Sequence, residues 1–317
     1  MLINKEFEER VNSLGASNSP FTFFIDFEGK EFVLNPENAL FQLENFKNFK
    51  EKPLKKSLHV KKKFVCFEEY QEAFYKVIEE IKKGNTYLLN LTFATQLEGE
   101  IDLEEIFYAA SAPFKLYVEG KFVCFSPERF VQIKEDKIKT YPMKGTIDAS
   151  IENAKQKILA DKKEMSEHVM VVDLLRNDLG IVANNVKVER FRYIDEIDTG
   201  ERKLLQVSSQ ILAQMQRGWQ KNLGSILCSL LPAGSISGTP KKKTLEIISK
   251  VEKEKRGFFT GVFGYFDGKN FDSAVMIRFI QKEKNVYMYK SGGGITIDSD
   301  VYAEYQEMKD KVYVPLL

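Results

Sequence analysis

Phe258–Lys290 reads FFTGVFGYFDGKNFDSAVMIRFIQKEKNVYMYK, and this stretch decides the fold class. Phe258–Phe266, Asp272–Gln281 and Val286–Lys290 are rich in aromatic and β-branched residues and read as strands. Two connections of hairpin length separate them, Asp267-Gly268-Lys269-Asn270 and Glu283-Lys284-Asn285. Strands joined by turns this short run antiparallel, because a parallel pair needs a crossover of roughly a dozen residues.

The same grammar extends upstream. Phe21–Leu34 (FTFFIDFEGKEFVL) is a second strand pair around Glu28-Gly29. From Phe67 the period changes: Tyr70, Phe74, Val77 and Ile81 recur at helical spacing, and Gly84 follows the last turn. Thr86–Thr95, Phe114–Phe125, Phe130–Ile133 and Lys137–Tyr141 read as strands, and Ile151–Leu175 as a helix with a break near Asp161. Val186–Tyr193 and Leu204–Ile211 are further strands, with helices at Lys242–Glu254 and Glu304–Val312. Mixed order with hairpin turns predicts an antiparallel α+β fold. The lysine-rich run Lys47–Lys63 carries no Arg and reads as a solvated linker, with a soft boundary there.

Composition narrows the function. The 317 residues hold 47 Lys plus Arg against 46 Asp plus Glu, a net charge of +1, which speaks against a generic nucleic-acid binder. Cys66, Cys124 and Cys228 are widely spaced, with no CxxC, so neither a disulfide framework nor a zinc site is expected. The start, MLINKEFEERVN, has no apolar signal region, and no apolar run is long enough to span a bilayer. A cytoplasmic protein with no membrane partner is the expectation.

Four clusters carry chemistry. In KKEMSEHVMVVDLLRNDLG, Glu164 and Glu167 are three apart, as are Glu304 and Glu307 in DSDVYAEYQEM. That spacing puts each pair on one helix face, and two such faces suit a hard cation such as Mg2+. Gly234–Lys241 (GSISGTPK) and Ser291–Ile295 (SGGGI) are glycine-rich; neither is a Walker A or a GxGxxG motif, so any anion they face is a carboxylate rather than a nucleotide phosphate. Lys144 stands between Met143 and Gly145 at a strand end, placed as a nucleophile or an anion contact. Glu128 in Ser126-Pro127-Glu128-Arg129 is a candidate general acid, and Arg256 and Arg278 adjoin apolar strands, where a guanidinium calls for a carboxylate partner.

The order of these pieces resembles the chorismate-utilising enzymes. The series SPERF, PMKGT, SEHVMVVDLLRNDLG, PAGSISGTPK, RGFFTGVFGYF, MIR and GGGITIDSDVYAEYQE spans residues 67–312. The resemblance implies two large antiparallel sheets flanked by helices, in one chorismate-binding catalytic domain (66–317) completed by a short amino-terminal segment (1–65). It implies a Mg2+ set of Glu164, Glu167, Glu304 and Glu307, and Glu128 as the acid that assists loss of the C4 hydroxyl. Substrate contacts carried over with it are Asn90, Thr146, Ser237, Gly238, Phe259, Gly261, Arg278, Gly292, Gly293 and Gly294. The family usually has Tyr where this chain has Phe259, and many members have His where it has Leu205.

Two positions discriminate within that family. Members that add water to chorismate have a lysine base where this chain has Asn90, which has no such capacity. Members that make 4-amino-4-deoxychorismate have a lysine matching Lys144, where anthranilate synthases have Ala. The resemblance therefore implies amination of chorismate through attack by Lys144, in 4-aminobenzoate and folate synthesis. Anthranilate synthase, isochorismate synthase and a non-catalytic chorismate-binding module are the alternatives. For Lys144 to attack, burial or nearby cations must lower its pKa, or Glu128 must take its proton. No glutaminase motif is present, so ammonia is expected from a separate glutaminase subunit. No tryptophan-inhibition motif is present either.

Overall fold

The computed structural model describes residues 3–52, 60–198 and 203–314. It opens with α1 (Lys5–Ala16), β1 (Phe21–Ile25), β2 (Phe32–Leu34), β3 (Ala39–Leu43), β4 (Phe46–Lys47) and β5 (Lys61–Lys63). Next come α2 (Phe67–Lys82), β6 (Leu88–Glu98) and α3 (Leu103–Ala109). A run of strands follows: β7 (Phe114–Val118), β8 (Phe122–Ser126), β9 (Arg129–Lys134), β10 (Lys137–Thr140) and β11 (Met143–Asp148). Helices α4 (Ala154–Ala160) and α5 (Lys162–Val182) precede β12 (Asn184–Asp198) and β13 (Lys203–Gln214). Then come α6 (Leu223–Leu230), α7 (Gly234–Ser237), β14 (Gly238–Thr239) and α8 (Lys241–Val251). The end is β15 (Val262–Phe266), β16 (Phe271–Val275), β17 (Phe279–Glu283), β18 (Val286–Ile295) and α9 (Val301–Asp310).

The strands form two antiparallel sheets. One runs β11-β13-β10-β9-β16-β15-β1-β2, with β12 on β13; the other runs β14-β6-β18-β17-β8-β7-β3-β4, with β5 on β6. Helices flank them: α2 lies against β6 and β18, and α5 against β11, β12 and β13. This is the α+β architecture expected. Residues before 65 enter both sheets, through β1 against β15 and β3 against β7.

The hairpins of the deciding stretch form where the turn residues stand, but its middle differs. Asp272–Gln281, expected as one strand, is β16 in one sheet and β17 in the other. The chain breaks between them because Arg278 has a left-handed φ of 52° and Met276 turns its N–H to the Gly261 carbonyl. Apolar residues on both sides of the break hide it from the pattern. Phe114–Phe125 is likewise a hairpin, β7 and β8, turning at Gly120 with φ 67°. The strand expected from Phe258 begins only at Val262.

Helix α2 buries Tyr70, Phe74, Val77 and Ile81, the residues whose spacing predicts it. The largest core joins them to Phe7 and Val11 of α1, Phe23 of β1 and Leu89 and Leu91 of β6; each such side chain contributes about 1.5–3 kcal/mol on burial. The break at Asp161 is present, but the helix after it runs to Val182 rather than Leu175. The polar Arg176-Asn177-Asp178 reads as an end, yet Asp178 is buried and paired with Lys241 at 3.0 Å, and Leu179 is in the core. In the lysine-rich run, Lys61–Lys63 form edge strand β5 instead of a linker; residues 53–59 lie outside those described. Among the described residues no helix is long and apolar enough to cross a membrane.

Candidate active site

Two helix caps aim the glutamates. The Asp161 side chain accepts from Glu164 N at 3.0 Å and starts α5 there, so Glu164 and Glu167 share its face. Asp300 accepts from Tyr302 N and Ala303 N and does the same for Glu304 and Glu307 on α9. Lysines then join the two helices. Lys163 Nζ lies 3.2 Å from Glu304 Oε1 and 3.9 Å from Glu167 Oε1. Lys144, delivered by β11, donates to Glu167 Oε2 at 2.6 Å. Lys311 pairs with Glu307 at 2.6 Å and donates to the Gly292 carbonyl at 2.9 Å. Glu167 and Glu304 are buried, 4% and 2% exposed, so one cleft gathers all four carboxylates and three ammonium groups.

The floor of this cleft is β18. The strand expected to end at Lys290 continues through Gly292–Gly294 and pairs with β6 as far as Ile295 opposite Leu89. None of the three has a positive φ. What demands glycine is close approach. A Cβ on Gly292 would stand 2.3 Å from the Leu91 carbonyl oxygen, and one on Gly294 3.3 Å from Lys144 Nζ. A Cβ on Gly293 would come within 3.3 Å of Glu304 Oε2. The other glycine-rich segment also faces a carboxylate, the protein's own: a Cβ on Gly234 would lie 2.7 Å from Asp178 Oδ2.

Glu128 follows β8 and accepts a hydrogen bond from the Ser235 hydroxyl. Burial pushes its carboxyl above the usual range, although Ser235, Arg278, Lys144 and Lys311 pull the other way. A carboxyl shifted in this direction is better suited to donate a proton. Arg278 stands at the break between the sheets, 5.2 Å over the Tyr313 ring, and its Nε is buried with no hydrogen-bond partner among the described residues. An orphaned guanidinium N–H of this kind calls for an anionic acceptor.

Lys144 departs from expectation. Burial draws its pKa down, but Glu167 together with Glu307 and Glu164 outweighs it, and the ammonium is held above its ordinary range. Its close partner is Glu167 rather than Glu128. Glu164 is raised by burial and by its neighbour Glu167. Against the burial that would raise it, Lys311 holds the Glu307 carboxyl below its ordinary value.

The remaining residues divide. Asn90 on β6 sits opposite Gly294, at the cleft floor. Thr146 is exposed on β11. Four others have structural employment. Phe259 is 3% exposed, with its ring packed against Phe279 in the core, so it offers no face to a ligand. Gly261 lies where a Cβ would meet the Ile25 carbonyl oxygen at 2.2 Å, and Gly238 where one would meet that of Leu88 at 2.0 Å. Ser237 is fully buried and donates to the Ala233 carbonyl at 2.9 Å. Sequence reading missed Lys163, Lys311 and Ser235. Lys163 stands four residues before Glu167, the one signal that marked it. Leu205, in the place of the family histidine, is a buried strand residue opposite Ile147.

The donor set suits a hard cation. Among the described residues no three acidic, imidazole or thiol side chains close round one point, because lysines stand between the carboxylates. Mg2+ normally takes one or two carboxylates and keeps its other positions for water and substrate oxygens, so it needs no closed cage.

Comparison with known proteins places this geometry. An uncharacterized PabA-like protein of Haemophilus influenzae is 46% identical over 98% of this chain and 97% of its own length. Aminodeoxychorismate synthase component 1 of Escherichia coli is 33% identical over 77% of this chain, but only 56% of that relative is covered. The menaquinone-specific isochorismate synthase of Escherichia coli shares the fold with a TM-score of 0.74 at 17% identity, over 97% of this chain and 80% of that one. Anthranilate synthase component I of Streptococcus pneumoniae does so with a TM-score of 0.67 at 24% identity, over 80% and 58%. Residues 14–316 match the model of the chorismate binding enzymes. With a cleft of paired glutamates, an acid and an orphaned arginine between the same two sheets, the chain belongs to the chorismate-binding enzyme family.

Proposed function

We propose that the chain is the aminating component of an aminodeoxychorismate synthase, converting chorismate and ammonia to 4-amino-4-deoxychorismate and water in the cytoplasm. The observation that carries this reading is Lys144, whose Nζ reaches the cleft floor beside Gly294. The named relatives of the component 1 type support it, as does Asn90 in place of a water-activating base.

The Lys144 amine attacks ring carbon C2, the two ring double bonds shift (C1=C2 to C1=C6 and C5=C6 to C4=C5), and the C4–O bond breaks. Glu128 gives its proton to the departing hydroxyl, which leaves as water. Ammonia then attacks C4, both double bonds return to their original positions, and the C2–N bond to Lys144 breaks. Splitting one displacement into two keeps each barrier low. The attacking amine must be neutral, so Lys144 first gives up a proton, and Glu167 is the acceptor at hand. Arg278 takes a carboxylate of the substrate. Glu164, Glu167, Glu304 and Glu307 would hold Mg2+ between them, one or two directly and the others through its waters, and the ion would supply charge neutralisation for the ring carboxylate. Ammonia comes from a glutaminase subunit.

Purified chain given chorismate, Mg2+ and an ammonium salt is expected to yield 4-amino-4-deoxychorismate. Without ammonia, the intact protein is expected to gain the mass of chorismate less water, on Lys144. Anthranilate or isochorismate as the product would replace this reading with the corresponding synthase. Chorismate binding without turnover would make the chain a binding module.

A further inference from the structure

Strand β6 is paired at both ends of one edge and open between them. Leu88 and Leu89 pair with β14, and Gln96–Glu98 with β5. Side chains close part of the gap: Thr92 N donates to Glu252 Oε1 at 3.0 Å, and the Asn90 carbonyl accepts from Arg256 Nη2 at 2.6 Å. Beside it lies a cavity of about 270 Å³, walled by α2, β6, β18 and the segment after α8. None of Lys144, Glu128, Arg278 or the four cleft glutamates lines it.

The cavity is short of negative charge. Six basic side chains line it against three carboxylates. Glu69 is already paired with Lys253 at 2.9 Å, and Glu72 with Lys76 at 2.7 Å. Arg256 is answered by Glu252 at 2.7 Å. Lys290 is not answered. It is 6% exposed, and its ammonium donates only to the Lys255 and Arg256 carbonyls, at 3.0 and 3.3 Å. No carboxylate lies within 4.0 Å of it among the described residues.

Lys115 shows what a purely structural buried lysine looks like here. It too donates only to carbonyls, those of Phe107 and Ala110 at 3.0 Å each. Those carbonyls end α3, where a cation compensates the helix dipole, and the Phe49 and Phe107 rings cover the ammonium. Lys290 has no helix end to serve, and it borders an open cavity. Next to it the wall is apolar: Met288, two residues away on the same strand, with Phe93 and Val251.

We infer that this cavity is a second binding site, for a small aromatic monocarboxylate whose carboxylate pairs with Lys290 and whose ring lies against Phe93 and Met288. Lys63 and Lys255, exposed at the rim and without an ion-pair partner among the described residues, add attraction for the anion.

The test is calorimetric titration of the full chain with benzoate, using aniline as the ring without the carboxylate. Benzoate is expected to bind and aniline not. Lys290→Met is expected to weaken benzoate at least tenfold, while Glu167→Gln in the cleft leaves it unchanged. A double Lys63→Ala, Lys255→Ala variant, altered only at exposed side chains, is expected to weaken it about threefold and decides the matter if Lys290→Met does not fold. No binding at about 10 mM benzoate, equal affinity for aniline, or undiminished binding in the variant that folds overturns the inference. Loss of binding in Glu167→Gln moves the ligand to the cleft and overturns it too.

Discussion

Strand β18 borders two concave regions that handle charge in opposite ways. Around Gly292–Gly294 four glutamates and three lysines are interleaved, so nearly every charge is answered inside the protein. Around Met288 and Lys290 the cations outnumber the acids, and the buried Lys290 has only carbonyls. The difference teaches how each region accepts a ligand. A ligand entering the cleft must exchange partners with existing ion pairs, whereas one entering the cavity supplies a partner that is missing.

The largest effect is expected where the cleft's pairing is broken at its reactive member. Lys144→Ala should lower the rate of 4-amino-4-deoxychorismate formation by on the order of 10³-fold or more, measured as kcat on the folded variant. A rate within a few-fold of the parent would remove Lys144 from the chemistry and leave it as a counter-ion like Lys163.

The wall between the regions is the next place to cut. Arg256 and Glu252 are 2% and 5% exposed in their side chains, and Glu252 also accepts from Thr92 N and its hydroxyl. Glu252→Gln leaves the guanidinium without its charge partner. Unfolding by denaturant should show a loss of about 3–5 kcal/mol. A loss below about 1 kcal/mol would mean that solvent reaches this pair and that the two regions are not separately walled.

A smaller effect sharpens the contrast from behind the cleft. His168 is fully buried beside Glu167, 2.6 Å from the Ser209 hydroxyl, and burial with the nearby Arg192 draws its pKa from 6.5 to about 4. The folded value lies below the unfolded one, so the unfolded chain binds the extra proton first. Stability is therefore full above pH 6.5 and is lost as the pH falls toward 4, by about 3 kcal/mol. Denaturant melts of the parent and His168→Gln between these limits check it: the parent's decline should be steeper by that amount. Parallel declines would show that His168 stays neutral in both states.

Much of this was legible in the sequence where one residue type has one physical use. Short turns at Asp267–Asn270 and around Glu283–Asn285 force antiparallel pairing, and Glu164 with Glu167 and Glu304 with Glu307 stand three apart at helical spacing. The fold class and the carboxylate pairs follow from them. The break at Met276–Arg278 was not legible, because both strands beside it are apolar and only the backbone changes direction. Nor was the use of Gly292–Gly294, since glycine serves a turn and a close approach alike. Lys163 and Lys311 belong to helix surfaces in the sequence and become cleft residues only when α5 and α9 face each other. Helix α1, which buries Phe7 and Val11, and β3 were not anticipated either; each is short and its pattern is diluted by charged or polar neighbours.

The break between β16 and β17 has a mechanical meaning. It is a covalent link of three residues, Met276 to Arg278, between one sheet and the other. If the sheets scissor about this link, its torsions turn and carry the Arg278 guanidinium with them. Under the proposed function Arg278 takes the substrate carboxylate, and ligand occupancy and the angle between the sheets would then become one mechanical variable.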